Sequence, residues 1–353
     1  MNYTDGVTSH LYNLINGLSE IEDLEIHLIY SGGEAASKFN MPSVRLTLNK
    51  NLKHESRSFL NFSKAYFDIK KYCLKNDIEI VHSHNHYAAN IAGRAAAKLK
   101  ARTVQTIHGL IPEGGRLRHF FADKYISLNN KITEHLILSN ISDKEDIINI
   151  RQGIPEKYFF QKKLFQGSGS ERIPVILYAS RLIKEKGCDV FIKAAAEVRK
   201  HTGKELKFLI AGSGEYENEL KSLSEKLNAG IEFTGSVKDI FQVMRSADIF
   251  VSTTCMSSEG FPMSVAEAAF SGCLIISSRQ SWLTEVFEEN ADGLCFIGGN
   301  HSELAEKILH ALKNEKYTQD MSESFQQKAA ELFNVNAMIK IHTDLYNKCQ
   351  RKN

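Results

Sequence analysis

Apolar and polar positions follow two patterns along the chain, and the two patterns succeed each other in a regular order. Short apolar, β-branched runs are followed by longer segments in which apolar residues recur at helical spacing. In the first half the predicted strands are residues 24–31, 44–48, 78–84, 102–108 and 135–140. In the second half they are residues 174–180, 206–214, 231–236, 247–254, 273–278 and 293–297. Strands that are apolar throughout and separated by helices predict parallel sheets covered on both faces.

The pattern breaks once, between the two halves, where glycine, serine and charged residues replace the alternation. This composition is typical of a linker, so the chain is predicted to be an α/β protein with two doubly wound domains. Such domains bind ligands beyond the carboxyl ends of their strands. The predicted division is residues 1–155, a linker at 156–172, a second domain at 173–330 and a terminal helical segment at 331–353.

Composition excludes several classes of protein. The 353 residues are 42% hydrophobic and 24% charged, which predicts a globular core of ordinary size. The net charge of +2 gives no indication of a nucleic-acid partner. The six cysteines form no C-x-x-C pair, and no apolar run reaches the length of about 20 residues that spans a bilayer. We therefore expect a cytoplasmic protein with reduced thiols, for which attachment to a membrane surface stays open.

Cations, glycines and imidazoles follow the predicted strands at the ends where ligands bind. Arg181 and Lys186 come after one strand of the second half, and His108 ends a strand of the first half. An arginine fork and a lysine ammonium suit a diphosphate that gains charge as it leaves. A solvated turn with a salt bridge to Glu185 or Asp189 explains the two cations equally well.

Residues 257–275 carry two glutamates around a predicted helix start. Free amides at Gly260 and Phe261 would form an anion seat, and Pro262 in the first turn needs no N–H partner. The surroundings of Glu267 are small and apolar, so its carboxylate needs buried donors such as sugar or ribose hydroxyls. An anion seat beside Glu259 and Glu267 therefore predicts a nucleotide sugar as ligand.

Three histidines at alternate positions, His82, His84 and His86, offer a metal site as an alternative, since such positions share one face of a strand. We favour imidazoles that face the ligand, because no carboxylate lies nearby in the sequence to support a metal. The chain also has no Asp-x-Asp pattern to hold a metal-bound diphosphate. The expectation is that the protein has no metal site and no cofactor.

The stretches "ASRLIKEKG", "AGSGE", "RQGIPEKYF" and "EGFPMSVAEA", the last with its E-x7-E spacing, resemble the family-4 retaining glycosyltransferases of the GT-B fold. The resemblance covers nearly the whole chain. It implies two Rossmann-like domains that face a cleft, with the last helix returning to the first domain. It also implies a catalytic group and a donor site. The catalytic group is Glu259, His108, Arg181 and Lys186. The donor site is Gly6, Arg181, Lys186, Gly212, Val237, Glu259, Gly260, Phe261, Pro262 and Glu267.

Family members open with a short apolar strand, whereas this sequence begins at "MNYTDG", so the first strand of the N-terminal domain is expected to be missing. The resemblance implies a metal-independent transfer of a hexosyl group from a nucleotide sugar to a saccharide or lipid-linked saccharide, in bacterial surface polysaccharide synthesis. A GT-B epimerase and a truncated, non-catalytic nucleotide-sugar binder are the alternatives. The donor sugar, the base and the acceptor stay open.

Residues 108–131 mix Arg116, Arg118, His119 and Lys124 with aromatic side chains. The favoured prediction is an amphipathic helix that covers the sheet, and the alternative is a peripheral contact with anionic lipid at the inner membrane face.

Overall fold

A computed structural model describes residues 6–99, 101–110, 121–165, 172–254, 262–279, 286–287 and 294–350. Contacts divide the chain into two compact units. The N-terminal unit comprises the chain up to Gly153 together with the segment from Val335 onward. The C-terminal unit comprises the intervening residues from Ile154 to Asn334, apart from a short segment before Pro262. Each unit is an α/β structure with parallel strands, as the alternating pattern predicts.

The N-terminal unit contains two parallel sheets. A two-stranded sheet joins β1 and β2, and a four-stranded sheet has the order β3-β4-β5-β6. The strands are β1 (Ile26–Tyr30), β2 (Val44–Leu48), β3 (Ile80–Ser83), β4 (Arg102–Ile107), β5 (Lys124–Ser127) and β6 (Ile147–Asn149). The helices are α1 (Gly6–Leu18), α2 (Phe59–Lys75), α3 (His86–Ala96), α4 (Asn130–Leu138) and, at the far end of the chain, α11 (Val335–Cys349).

Helices α1 and α11 cover one face of these sheets. Leu14 of α1 and Met338 and Leu345 of α11 pack with Val104 and Ile126 in one buried cluster. Apolar residues at spacings of three, four and seven give both helices the buried stripe that such packing needs. The last helix of the chain thus completes the core of the first unit.

The two sheets of the N-terminal unit are not joined by hydrogen bonds between described residues. Ile26 of β1 and Ile80 of β3 contact the same apolar cluster, and Ile29 and Val81 contact a second cluster on the opposite face with α2 and α3. Yet β1 pairs with β2 and β3 with β4, and no pairing of described residues links β1 to β3. The absence of a first strand stays a prediction from the sequence.

The C-terminal unit has one parallel sheet of six strands in the order β12-β11-β10-β7-β8-β9. The strands are β7 (Val175–Ala179), β8 (Lys207–Ala211), β9 (Ile231–Gly235), β10 (Ile249–Ser252), β11 (Leu274–Ser278) and β12 (Cys295–Phe296). The described helices are α5 (Cys188–His201), α6 (Glu217–Lys226), α7 (Ile240–Ser246), α8 (Met263–Phe270), α9 (His301–Lys313) and α10 (Glu315–Leu332). Strands β10 and β11 are buried along their whole length, which their continuous apolar sequences require.

Two predictions in the first half are wrong. The predicted strand at 135–140 lies mostly in helix α4, because Asn129 accepts a hydrogen bond from the amide of Ile132 and caps the helix, while Ile132 and Leu136 bury one face. The predicted amphipathic helix at 108–131 contains strand β5, which pairs with β4 and is buried in its last three residues. Arg116, Arg118 and His119 lie outside the described residues.

The described part of the predicted linker packs within the C-terminal unit. The ammonium of Lys162 donates hydrogen bonds to the carbonyl oxygens of Met244, at 3.0 Å, and of Ala247. Leu164 is buried, and its amide donates to Gln319 at 2.7 Å. The polar composition of residues 156–172 predicted a linker. It did not indicate that backbone carbonyl groups of the C-terminal unit anchor this segment.

Candidate functional site

A small recess lies in the C-terminal unit, at the carboxyl ends of two adjacent strands. It is lined by the end of β7, the end of β10, Lys186 and the start of α8. Carboxyl ends of parallel strands are where open α/β sheets bind ligands. The lining residues are Tyr178, Ala179, Ser180, Lys186, Phe250, Val251, Ser252, Thr253, Thr254, Pro262 and Ser264.

Lys186 reaches this recess because its backbone is fixed to β7 and β10. Its carbonyl oxygen accepts hydrogen bonds from the hydroxyl of Thr253, at 2.9 Å, and from the hydroxyl of Tyr178, at 3.1 Å. The turn ends at Gly187, whose φ of 66° is left-handed and whose added Cβ would lie 2.8 Å from the carbonyl oxygen of Thr253. Only glycine fits there without strain, so the position of Lys186 is built into the backbone.

Arg181 lies in the same loop, and its side chain is exposed and absent from the lining of the recess. The neighbouring residue, Leu182, is buried and donates its amide to the carbonyl oxygen of Ser213 at 2.9 Å. The structure thus brings Lys186 to the recess and leaves the guanidinium of Arg181 in solvent beside it. The exposure of Arg181 agrees with a solvated turn. The position of Lys186 in the recess leaves the phosphate clamp open for that residue.

The "AGSG" loop after β8 is held against the Arg181 loop. Gly212 has a φ of 145°, and a Cβ on it would clash with the carbonyl oxygen of Ser180. A Cβ on Gly214 would clash with the carbonyl oxygen of Leu182. These glycines are therefore needed for close packing of two backbone loops, which is a reason that the sequence alone did not reveal.

Helix α8 starts later than the sequence predicts. It begins at Met263, with Pro262 as the capping residue, and the amide of Val265 donates to the carbonyl oxygen of Pro262 at 2.9 Å. The first-turn amides of Met263 and Ser264 have no acceptor within the helix, as at any helix start. Pro262 and Ser264 both line the recess, so the start of α8 forms part of its wall. Glu259, Gly260 and Phe261 lie outside the described residues.

Glu267 lies one turn into α8, half-buried between the fully buried Ala266 and Ala268. Burial raises the pKa of its carboxyl group to about 7. No described residue donates a hydrogen bond to this carboxylate, so ionisation there is not compensated. A ligand that brought hydroxyl donors would stabilise the charged form.

The remaining predicted site residues are spread over both units. Val237 is half-buried between β9 and α7 and is absent from the lining of the recess. Gly6 begins α1 in the N-terminal unit, with open space around its Cα. His108 follows β4 in the same unit, and burial lowers the pKa of its imidazole to about 4, so the ring is neutral at physiological pH.

The hypothesis that His82, His84 and His86 share a strand face is wrong. His82 lies in β3, but His86 is the first residue of helix α3, which Asn85 caps. Both ring nitrogens of His82 are engaged, one with the hydroxyl of Tyr346 at 2.6 Å and the other with the hydroxyl of Thr106 at 2.8 Å. The strand is simply too short to carry all three residues.

Histidines from distant parts of the chain instead meet beside His108. The Nε2 atom of His108 lies 3.3 Å from Nδ1 of His84, and the ring of His10, from α1, lies 5.1 Å from that of His108. Both ring nitrogens of His10 are buried without a partner, an arrangement that costs about 1–3 kcal/mol for each unsatisfied group. One feature of the sequence could have pointed to His10. It is a polar residue on the apolar stripe of α1 that continues through Leu14 and Leu18.

Two family models match this chain. The model described as "Glycosyltransferase Family 4" matches residues 4–154, and the model described as "Glycosyl transferases group 1" matches residues 160–328. The chain belongs to the group 1, family-4 glycosyltransferases. The second match spans the loop that carries Lys186 and the whole of α8.

Relatives of this glycosyltransferase are found in bacteria and archaea. A Campylobacter jejuni protein named N,N'-diacetylbacillosaminyl-diphospho-undecaprenol alpha-1,3-N-acetylgalactosaminyltransferase is 28% identical over 66% of this chain and 62% of its own length. The match thus spans less than two thirds of that enzyme. An uncharacterised glycosyltransferase of Methanocaldococcus jannaschii is 23% identical over 91% of this chain and 89% of its own.

Solved structures support the fold. The Anabaena protein HepE, determined in complex with UDP and glucose, superposes with a TM-score of 0.79 at 17% sequence identity, over 98% of this chain and 96% of its own. The fold is GT-B, with two Rossmann-like domains of parallel sheet. Among the residues that the structure describes, no helix has the length and apolar character needed to cross a bilayer.

Proposed function

We propose that this glycosyltransferase transfers a hexosyl group from a nucleotide sugar to a saccharide or lipid-linked saccharide, with retention of configuration. The observation that carries the proposal is the joint presence of Lys186 and the start of α8 in one recess at the strand ends. An ammonium and a set of free amides stabilise a diphosphate without a metal ion. The reaction is therefore proposed to be metal-independent and to need no cofactor.

The donor is proposed to bind with its diphosphate between Lys186 and the first turn of α8. Arg181 is exposed and on the same loop as Lys186, and its side chain would move from solvent to the diphosphate on binding. Glu259 is proposed to contact the donor sugar, with Gly260 and Phe261 beside the diphosphate. Glu267 is proposed to accept hydrogen bonds from the ribose hydroxyls, which fits a carboxylate whose ionisation is uncompensated by described residues.

Four further residues complete the donor and acceptor sides. Val237 is proposed to line the base pocket, Gly212 to support the Arg181 loop, and Gly6 to approach the diphosphate through a backbone without a side chain. His108 is proposed to assist on the acceptor side. With a pKa near 4 its imidazole is a weak base, so it would position the acceptor hydroxyl by hydrogen bonding rather than remove its proton fully.

Chemistry at the anomeric carbon follows from these charges. As the bond to the diphosphate breaks, the sugar becomes oxocarbenium-like and the leaving group gains negative charge. Lys186, Arg181 and the α8 amides would stabilise that charge. The acceptor hydroxyl would attack from the face that the diphosphate leaves and pass its proton to the departing diphosphate oxygen. The HepE complex with UDP and glucose supports a nucleotide sugar as donor. The undecaprenol-linked acceptor in the name of the Campylobacter relative supports a lipid-linked acceptor in bacterial surface polysaccharide synthesis.

A lipid-linked acceptor would bring the enzyme to the inner face of a membrane, and helix α2 has the surface for this contact. Its most exposed apolar residues are Phe59, Leu60, Phe67 and Leu74, at 83%, 69%, 66% and 64% exposure. Leu60, Phe67 and Leu74 are seven residues apart and so form one stripe. Lys64, Lys71 and Lys75 are exposed on the same helix and complement anionic headgroups. We propose a peripheral contact through α2 in a cytoplasmic enzyme.

A release assay for nucleoside diphosphate tests the proposed function. The purified protein is incubated with a panel of nucleotide sugars, with and without a lipid extract that contains undecaprenyl-linked saccharides. Release that depends on the extract is the expected result. Formation of an epimer without release would establish the epimerase instead, and donor binding with neither product would establish a non-catalytic binder.

A further inference from the structure

The N-terminal unit holds a second group of side chains with convergent chemistry. His10 of α1, His84 after β3 and His108 after β4 are separated by up to 98 positions in the sequence, yet their rings form a compact triangle. The ring centroids of His10 lie 5.5 Å from His84 and 5.1 Å from His108, and those of His84 and His108 are 5.5 Å apart. One ring nitrogen of each histidine lies within 4.8 Å of one nitrogen of the other two.

Hydrogen bonds within the protein do not use up the nitrogens of this triangle. Among the described residues, both ring nitrogens of the buried His10 lack a partner, as does Nδ1 of His108. The flanking His82 differs from the triangle, because it bonds through both nitrogens. The flanking His342 donates from Nδ1 to the carbonyl oxygen of Met338 at 2.8 Å, and its buried Nε2 has no partner among the described residues. Unsatisfied ring nitrogens are thus grouped at the triangle and at the adjoining His342.

The electrostatics of the triangle favour neutral rings. Burial, with a smaller effect of the neighbouring histidines, holds the pKa of His10 and of His84 well below the ordinary value. Neutral imidazole is the form of histidine that binds metals, because the protonated ring has no lone pair. Three such rings, with no carboxylate grouped with them among the described residues, match the ligand preference of zinc and other borderline divalent cations rather than that of magnesium or calcium.

We propose that His10, His84 and His108 bind one borderline divalent cation, of which zinc is the representative, with a fourth coordination position left for water. Nitrogens bound to zinc at about 2.0–2.1 Å in tetrahedral geometry are roughly 3.4 Å apart. The nitrogens of the triangle lie within 4.8 Å of one another, so the imidazoles must rotate to close the site around a cation. No step of the proposed transfer uses this cation, although His108 is also the residue proposed to assist on the acceptor side, so the test below measures metal binding alone.

Direct metal binding tests the proposal. The full chain is stripped with a chelator and titrated with cobalt(II), which absorbs in the visible range with the intensity of a tetrahedral complex when three imidazoles and a water bind it. Zinc is then measured by competition with a chelating indicator and by elemental analysis after gel filtration. One equivalent of either metal per chain, with a tetrahedral cobalt spectrum, is the expected result. Absence of stoichiometric binding overturns the proposal.

Variants assign the site. The His10→Ala and His84→Gln variants are each expected to weaken zinc binding by more than about a hundredfold, since loss of a direct ligand exceeds the 10–100-fold effect of an outer-shell partner. His201→Ala removes an exposed histidine at the end of α5 and is the matched control, expected to bind like the wild type. Circular dichroism of each variant verifies the fold. Unchanged binding in either triangle variant, with the fold retained, contradicts the assignment.

Discussion

The two units of this protein share a fold but differ in how they hold polar groups. In the C-terminal unit one continuous sheet of six strands leads to a recess whose shape is fixed by the backbone, through Gly187, Gly212 and the Lys186 carbonyl. In the N-terminal unit the described strands form two sheets, several buried imidazole nitrogens lack a partner among the described residues, and helix α2 exposes its apolar stripe. A fixed backbone suits a ligand group that does not vary, such as the proposed diphosphate. Exposed side chains suit contacts with a surface whose composition varies.

The comparison predicts its largest effect at Lys186. The Lys186→Ala variant is expected to lower the rate of transfer by about a hundredfold to a thousandfold, because a charge that stabilises the leaving group is lost. The melting temperature should change little, since the backbone rather than the side chain anchors the turn. Lys184→Ala, an exposed lysine of the same turn, is the control and should retain full activity. Full activity of Lys186→Ala would remove the diphosphate role.

A second prediction concerns the rigidity of the same unit. Gly212→Ala is expected to lower the free energy of unfolding by about 3 kcal/mol, because the new Cβ meets the Ser180 carbonyl oxygen at an unfavourable φ. Urea unfolding followed by circular dichroism measures this. Gly203→Ala, at a site with open space around its Cα, should change stability by less than about 0.5 kcal/mol. Equal stability of the two variants would show that the loop tolerates rearrangement.

A third prediction concerns the exposed apolar stripe of helix α2 in the N-terminal unit. Changing Leu60 and Phe67 together to serine should weaken co-sedimentation with vesicles of anionic phospholipid by about tenfold to a hundredfold, since two apolar side chains no longer enter the interface. Leu138→Ser is the control, because Leu138 is also exposed in this unit but lies on α4. If both variants bind vesicles as the wild type does, α2 is not the contact surface.

The smallest expected effect is the pH dependence that Glu267 gives to the C-terminal unit. Its pKa is raised in the folded state, so the folded protein binds a proton that the unfolded chain releases near pH 4.5. Stability from this group is present below pH 4.5 and is lost in the free protein as the pH rises to about 7. Glu267→Gln should flatten that slope in urea unfolding between pH 5 and pH 8.

Ligand binding should show the opposite sign. Ribose hydroxyls that donate to the carboxylate favour its ionised form, so binding of a nucleoside diphosphate should strengthen as the pH rises through about 7. Titration calorimetry of the wild type and of Glu267→Gln measures the difference. The same pH dependence in both proteins would exclude Glu267 from the ribose site.

The sequence predicted the C-terminal unit better than the N-terminal one, for physical reasons. All six predicted strands of the second half are present, because continuous apolar runs such as that of β10 are buried on both faces. In the first half, β5 was missed and α4 was taken for a strand, since runs of four to six apolar residues do not distinguish the two states. The fold class and the family are confirmed by the structure and the comparisons.

Prediction of site residues was limited by distance along the chain. Lys186 could be placed at the strand ends because it follows β7 by only seven residues. The meeting of His10 with His84 and His108 depends on packing between α1 and the sheet, which no local pattern encodes. The need for glycine at Gly212 likewise arises from a neighbouring loop, so it becomes visible only in three dimensions.

Helix α11 has a consequence for biosynthesis. Residues 335–349 are synthesised after the second unit, yet Met338 and Leu345 fill the apolar cluster around Leu14 and Val104. During translation the first unit must therefore wait, with that cluster open to water, until the whole second unit has been made. Ribosomes that stall or terminate before residue 335 would release chains whose first unit is incompletely packed and exposes apolar surface. Chaperones and proteases recognise such chains.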